Sequence, residues 1–143
     1  MSKGNVFEND LMLLVFNATA IANLADNAGT APLTSLYVSL HTADPGEAGA
    51  QTANEATYVD YARVAVARSG SGWTVSGNQA QNAALVQFPQ CAGGTNAITH
   101  VGVGTAASGT GKLLYKGALS SSLSVSSGIQ PQFAAGALSV TED

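Results

Sequence analysis

Charge is what this sequence has least of. Asp, Glu, Lys and Arg make up 10% of its 143 residues, against about 25% in an average soluble domain. The wet surface therefore has to be built from Ser, Thr, Asn, Gln and Gly, which suits packing against neighbours better than solubility by charge repulsion. Basic residues are the scarcer sign: five Lys and Arg against nine Asp and Glu leave a formal charge of −4. So few cannot form a basic patch, which argues against nucleic acid as a partner. A single cysteine, Cys91, excludes an internal disulfide, so stability has to come from packing or assembly. With nothing basic near it in sequence, Cys91 reads as a small half-buried side chain rather than a nucleophile. Long apolar runs are missing too. The one candidate, Leu11-Met-Leu-Leu-Val-Phe16, follows Glu8, Asn9 and Asp10 and is interrupted by Asn17, Thr19, Asn23 and Asp26. It has neither the positive flank of a signal peptide nor the roughly 20 apolar residues of a membrane span.

Motifs that carry chemistry are near misses. Gly102-Val-Gly-Thr-Ala-Ala107 meets a loose dinucleotide-binding pattern, but Ser108-Gly-Thr-Gly111 follows where a helix would have to begin to meet the pyrophosphate. Gly111-Lys112 looks like the end of a phosphate-binding P-loop, yet Ala106 replaces the loop glycine and Leu113 the magnesium-binding hydroxyl. There is no G-x-S-x-G elbow, no H-E-x-x-H and no cysteine pair. His41 and His100 each lie in a strand pattern, and no spacing brings them a third ligand from Asp44, Glu47, Glu55 or Asp60, so both read as structural or surface histidines. Asp44 or Asp60 would meet Glu55 as a hydrolytic carboxylate pair only by accident of folding. The expectation is a protein that is not an enzyme and uses no cofactor and no metal.

The remaining polar and aromatic candidates have local readings. Asp44, before Pro45-Gly46, is placed to accept backbone N–H bonds within a turn. Asp60 with Arg63 or Arg68 reads as an ion pair. Tyr58, Tyr61 and Trp73 are candidates for a sugar-stacking platform, but Tyr58 and Tyr61, three apart in an expected strand, should point to opposite faces. Trp73, beside Gly70 and Gly72, reads as a cover over the edge of the core.

The length suits one domain, residues 1–143, with a single core. The hydrophobic fraction, 45%, and a mean hydropathy of +0.16 are ordinary for a folded chain. An N-terminal amphipathic helix is expected over 6–27. Asn5 is placed to cap it with Glu8 three residues on, and Gly29 waits past its end. Its apolar stripe is Phe7, Leu11, Leu14, Val15, Ala18, Ile21, Ala22 and Ala25, which either packs on the domain's own sheet or docks onto another subunit. From residue 33 on, short strands alternate with turn signals: 35–42, 58–68, 72–76, 82–88, 97–105, 112–119, 121–126 and 132–141. That pattern is mainly β, a jelly-roll-like β-sandwich of about eight short strands. In the first strand Leu36, Val38 and Leu40 share one face, and Tyr37, Ser39 and His41 the other. The longest connection, 43–56, reads as a mobile surface loop or a contact arm.

Three stretches stand out: Leu36-Tyr-Val-Ser-Leu-His-Thr-Ala-Asp-Pro-Gly46, Asn54-Glu-Ala-Thr-Tyr-Val-Asp-Tyr-Ala-Arg-Val-Ala-Val-Ala-Arg68 and Ile98-Thr-His-Val-Gly-Val-Gly-Thr105. With the closing segments Leu113-Leu-Tyr-Lys-Gly-Ala-Leu-Ser120 and Ala137-Leu-Ser-Val-Thr-Glu-Asp143, they resemble small virion structural proteins of tailed bacteriophages. The resemblance covers nearly everything after residue 33. Length and wording are most similar to capsid cement, or decoration, proteins. That resemblance implies a jelly roll that sits as a homodimer on the outer capsid surface, binds the phage major capsid protein, bridges neighbouring coat subunits and stabilises the DNA-filled head. It implies synthesis in the bacterial cytoplasm, with no membrane and no nucleic acid as partner. The alternative is a tail or tail-fibre-like virion protein involved in host-surface binding. The contact candidates are Phe7, Leu11, Leu14 and Val15 on the helix stripe, with Asp44, Pro45 and Gly46 at the turn.

Overall fold

In the computed structural model, which describes residues 5–21, 32–48 and 50–142, one helix precedes nine strands. They are α1 (Asn5–Asn17), β1 (Ser35–His41), β2 (Val64–Ala67), β3 (Trp73–Ser76), β4 (Gln79–Asn82), β5 (Val86–Gln87), β6 (Asn96–Gly104), β7 (Leu113–Val125), β8 (Gln132–Phe133) and β9 (Ser139–Thr141). The chain is thus mainly β with an N-terminal helix, as its pattern implied. The strands form a four-stranded sheet in the order β2-β1-β6-β7, a three-stranded sheet β3-β4-β9 and a two-stranded ladder β5-β8. Contacts sort the chain into two compact units. The first gathers α1, β3, β4 and β9; the second gathers β1 from Leu36 on, β6 and β7; and the chain passes between them within β2, β5 and β8.

In the first unit, α1 lies against β3 and β4. Its buried row is Glu8, Met12 and Phe16, spaced by four as a helix face requires. Phe16 meets the buried Trp73 edge to face, with ring centroids 4.7 Å apart at 61°. Trp73 is therefore core, not platform. The expected helix to residue 27 is broken at Asn17. Ala18 turns left-handed at φ 54°, Thr19 N–H returns to the Leu13 carbonyl at 3.0 Å, and the Arg68 guanidinium donates to the carbonyls of Leu14 and Val15. Two of the last-turn carbonyls, which no helix can satisfy internally, are thereby partnered. Residues 22–27 of that expectation, with Ala22, Ala25 and the Gly29 stop, lie outside the described residues. Asn82 closes this unit, accepting from Leu138 N–H at 2.8 Å and donating to the carbonyls of Ala84 and Ala134.

In the second unit, β1 pairs antiparallel with β6 from Tyr37↔Gly104 to His41↔His100. β6 pairs with β7. The expected strands 112–119 and 121–126 are one strand. Its register shifts between Ile98↔Leu123 and His100↔Ala118, so Leu119 to Ser122 bulge opposite Thr99. The expected strand 58–68 shortens to Val64–Ala67, because Asp60 adopts φ 71° and Tyr61 N–H closes a turn onto the Tyr58 carbonyl at 3.0 Å. That turn overrides the strand parity. The rings of Tyr58 and Tyr61 meet at 5.3 Å and 71°, and Tyr61 stacks on Phe88. The expected 82–88 divides into the end of β4 and the short β5, and 132–141 into β8 and β9 around a turn at Gly136, φ 77°.

Candidate functional site

Alternation along β1 puts Leu36, Val38 and Leu40 into the core, and all three are buried. The opposite face is not wet. Ser39 and His41 are also fully buried, because residues 50–56 pack there, so this part of the 43–56 connection, expected as a mobile surface loop or a contact arm, is fastened to the sheet. The cause is the missing side chains on β6 and in the loop that follows it. A Cβ on Gly102 would meet Leu113 Cδ1 at 2.6 Å and His41 Nε2 and Ser39 Oγ at 2.8 Å. One on Gly104 or Gly111 would collide with the Gln51 side chain. Gln51 fills the space those glycines leave: its backbone N–H donates to the Thr110 carbonyl at 2.8 Å, and its side-chain oxygen accepts from Ala106 N–H at 2.9 Å.

The imidazole of His41 lies 2.8 Å from the Ala53 carbonyl through Nδ1 and 2.9 Å from Ser39 Oγ through Nε2. A carbonyl only accepts, so Nδ1 carries the proton and Nε2 accepts from the serine hydroxyl. Burial holds His41 below the ordinary imidazole value, against the pull of the Ala53 carbonyl and Glu55. The donor order is that of a nucleophile and its base, but both residues are sealed from solvent, so the pair fastens residues 50–56 to the sheet.

Arg63 makes a two-pronged ion pair with Glu55. Its Nε and Nη2 grip Glu55 Oε1 and Oε2 at 2.6 and 2.8 Å, and its Nη1 and Nη2 donate to the carbonyls of Ala106 and Gly109. The Arg63 side chain is 2% exposed and that of Glu55 16%. Tyr61 OH donates to Glu55 Oε1 at 2.9 Å and accepts from Leu40 N–H. The expected pairing of Asp60 with Arg63 or Arg68 is replaced by Glu55 and by the α1 carbonyls. Sequence reasoning did not single out Gln51 or the Glu55–Arg63 pair as a unit; the signal that points to them is the row Gly102, Gly104 and Gly111.

The contact candidates fall into two groups. On α1, Phe7 is 38% exposed beside Val6 at 77%, while Leu11, Leu14 and Val15 are half-buried. The expected stripe is therefore offset from the buried row of Glu8, Met12 and Phe16. In the second unit Asp44 Oδ1 accepts from Gly46 N–H at 2.8 Å, Gly46 takes φ 76°, and Pro45 is buried. This is the local turn the sequence implied. Lys116 Nζ bridges Asp44 and Glu47, each at 2.8 Å. That bond and the Gly46 N–H hold the Asp44 carboxyl below its ordinary value. Among the described residues, no group of three His, Cys, Asp or Glu side chains is placed to hold a metal ion.

Against known families, a model described as podophage GP4 fiber I protein gp80 matches residues 4–141. The chain belongs to this family. It is accordingly a phage virion structural protein, which agrees with the resemblance carried by 36–46. The podophage fiber I description names a fibre, not a capsid cement, and so favours the tail or fibre reading over the cement reading. No curated protein matches the chain. Among the described residues no helix is long and apolar enough to cross a membrane.

Proposed function

We propose that this chain is a fibre-associated structural subunit of a phage virion, working by adhesion to neighbouring virion proteins, a second copy of itself among them, and contributing to contact with the host surface. The observation that carries this reading is the fiber I family match over nearly the whole chain. The chemistry fits it. The most elaborate polar cluster, Ser39, His41, Gln51, Glu55 and Arg63, is consumed in holding the fold, and the charge-poor surface costs little to desolvate. A contact of roughly 800 Å² per partner, repeated around a symmetric assembly, turns weak docking into near-permanent attachment through effective concentration. Phe7, with the half-buried Leu11, Leu14 and Val15, supplies an apolar docking face, and the Asp44, Pro45 and Gly46 turn, with Pro45 buried and the Asp44 carboxylate exposed, supplies a polar one.

Copy number tests this reading. Quantitative mass spectrometry of purified virions, with labelled standards for this chain and the major capsid protein, should give far fewer copies than the coat, and antibody labelling should fall on fibres. A ratio near one, with label over the whole head, would overturn the fibre reading in favour of a lattice-wide cement.

A further inference from the structure

Residues 51–56 are held beside β1 by backbone bonds, by Gln51 and by the Glu55–Arg63 pair, and one titratable ring lies among these anchors. Thr42 N–H donates to the Asn54 carbonyl and Ala56 N–H to the Leu40 carbonyl, both at 2.8 Å, and Asn54 sits at φ 52°, a strained setting for a non-glycine residue. Between these bonds His41 Nδ1 reaches Ala53. A protonated ring keeps its bond to Ala53 and can donate through Nε2 to the rotated Ser39 hydroxyl, but the charge itself stays buried without a free counter-ion. From the segment itself Glu55 faces it, but its two oxygens are taken by Arg63 and Tyr61. Arg63 adds a positive charge, and on β6 His100 lies directly opposite in register. On β7 Lys116 is held by Asp44 and Glu47. The backbone of Gly102 closes the remaining side, so a charged ring has no room to turn toward water unless the segment moves.

We propose that protonation of His41 releases residues 51–56 from β1, making this segment a proton-operated latch over the glycine-lined face of the β1–β6 pair. The sign follows from the buried state. His41 is folded as the neutral ring, so its contribution is complete above the ordinary imidazole value of 6.5 and is lost as pH falls below it. The Asp44–Lys116 bridge opens only below the ordinary carboxylate value of 3.8, which separates the two events.

The test is hydrogen exchange read by NMR at about pH 7 and at about pH 4.5, each rate expressed as a protection factor against the intrinsic exchange rate at the same pH. The amides of Thr42, Gln51 and Ala56 should lose roughly tenfold or more of their protection in acid, while those of Val101 and Val103 keep theirs. His41→Asn, which retains a donor toward Ala53 and cannot charge, should hold its protection at both values. Unchanged protection of the natural chain in acid, or equal loss in His41→Asn, would overturn the proposal. Should His41→Asn not fold, a titration of the ring carbons in the natural chain decides it: His41 protonating without any change in the Gln51 and Ala56 amides would overturn the latch.

Discussion

Gly102 shows how much one absent methyl group decides. Its Cβ would stand against Leu113, His41 and Ser39 at once, and two of these, His41 and Ser39, are fully buried and held by hydrogen bonds. Gly102→Ala should cost about 1–3 kcal/mol, read as a fall in melting temperature, whereas Gly117→Ala, with open space around its Cβ, should change it little. Arg63→Ala leaves Glu55 part-buried without its partner and should cost about 3–5 kcal/mol. The tyrosines report the same interior from the alkaline side. Burial, with Cys91 beside it, pushes Tyr58 up to about 12, and burial raises Tyr61 further. Both are folded as neutral phenols, so stability is complete below the ordinary value of 10 and falls as pH rises above it. In an absorbance titration, these two of the four tyrosines should ionise late, with unfolding. Alternation along 36–41 made the two faces of β1 legible in the sequence. The burial of both faces was not, because it rests on glycines, which carry no side chain to read, and on Gln51, whose type predicts a wet surface.

Among the elements, α1 shows the same division. Asn5, Glu8 and the run of apolar residues announce a helix start, and a helix starts there. Its end is written elsewhere, in Arg68, whose Nε, Nη1 and Nη2 take the carbonyls of Val15, Leu33 and Leu14. A contact between residues 53 and 54 positions apart leaves no local signature, and Ala18 in a left-handed conformation lacks the glycine that usually marks a stop. Arg68→Ala should lower the melting temperature through loss of charge-assisted bonds worth about 1.5–3 kcal/mol each before relaxation. Arg68→Lys should recover only part, since an ammonium on a flexible stem cannot serve three carbonyls as the planar fork does. Equal melting temperatures for Arg68→Lys and the natural chain would refute that account of the helix end. The lost half of the expected strand 58–68 has a similar cause: its composition suits a strand, but Asp60 at φ 71° and the Tyr58–Tyr61 turn win through packing on Phe88.

For the whole molecule, poverty of charge has a consequence for assembly. Contacts made by Ser, Thr, Asn, Gly and scattered apolar side chains carry little long-range electrostatic attraction, so attachment to the virion should be nearly indifferent to salt between about 50 mM and 500 mM, where a charged interface would weaken as the screening length shrinks. On the proposed reading, the apolar face of α1 supplies much of the affinity. Val6 and Phe7 are both exposed in the chain by itself, and Met12 and Phe16 on the opposite side secure the helix to β3 and β4. Changing the exposed pair should therefore separate attachment from folding. Val6→Asp with Phe7→Ser should leave the melting temperature within a few degrees of the natural value, yet cut the copies retained per particle about tenfold or more, if these residues sit at the centre of the contact. Particles assembled with the double variant and counted by mass spectrometry give the answer. An unchanged copy number would move the docking face away from α1 and leave the Asp44, Pro45 and Gly46 turn as the next surface to change.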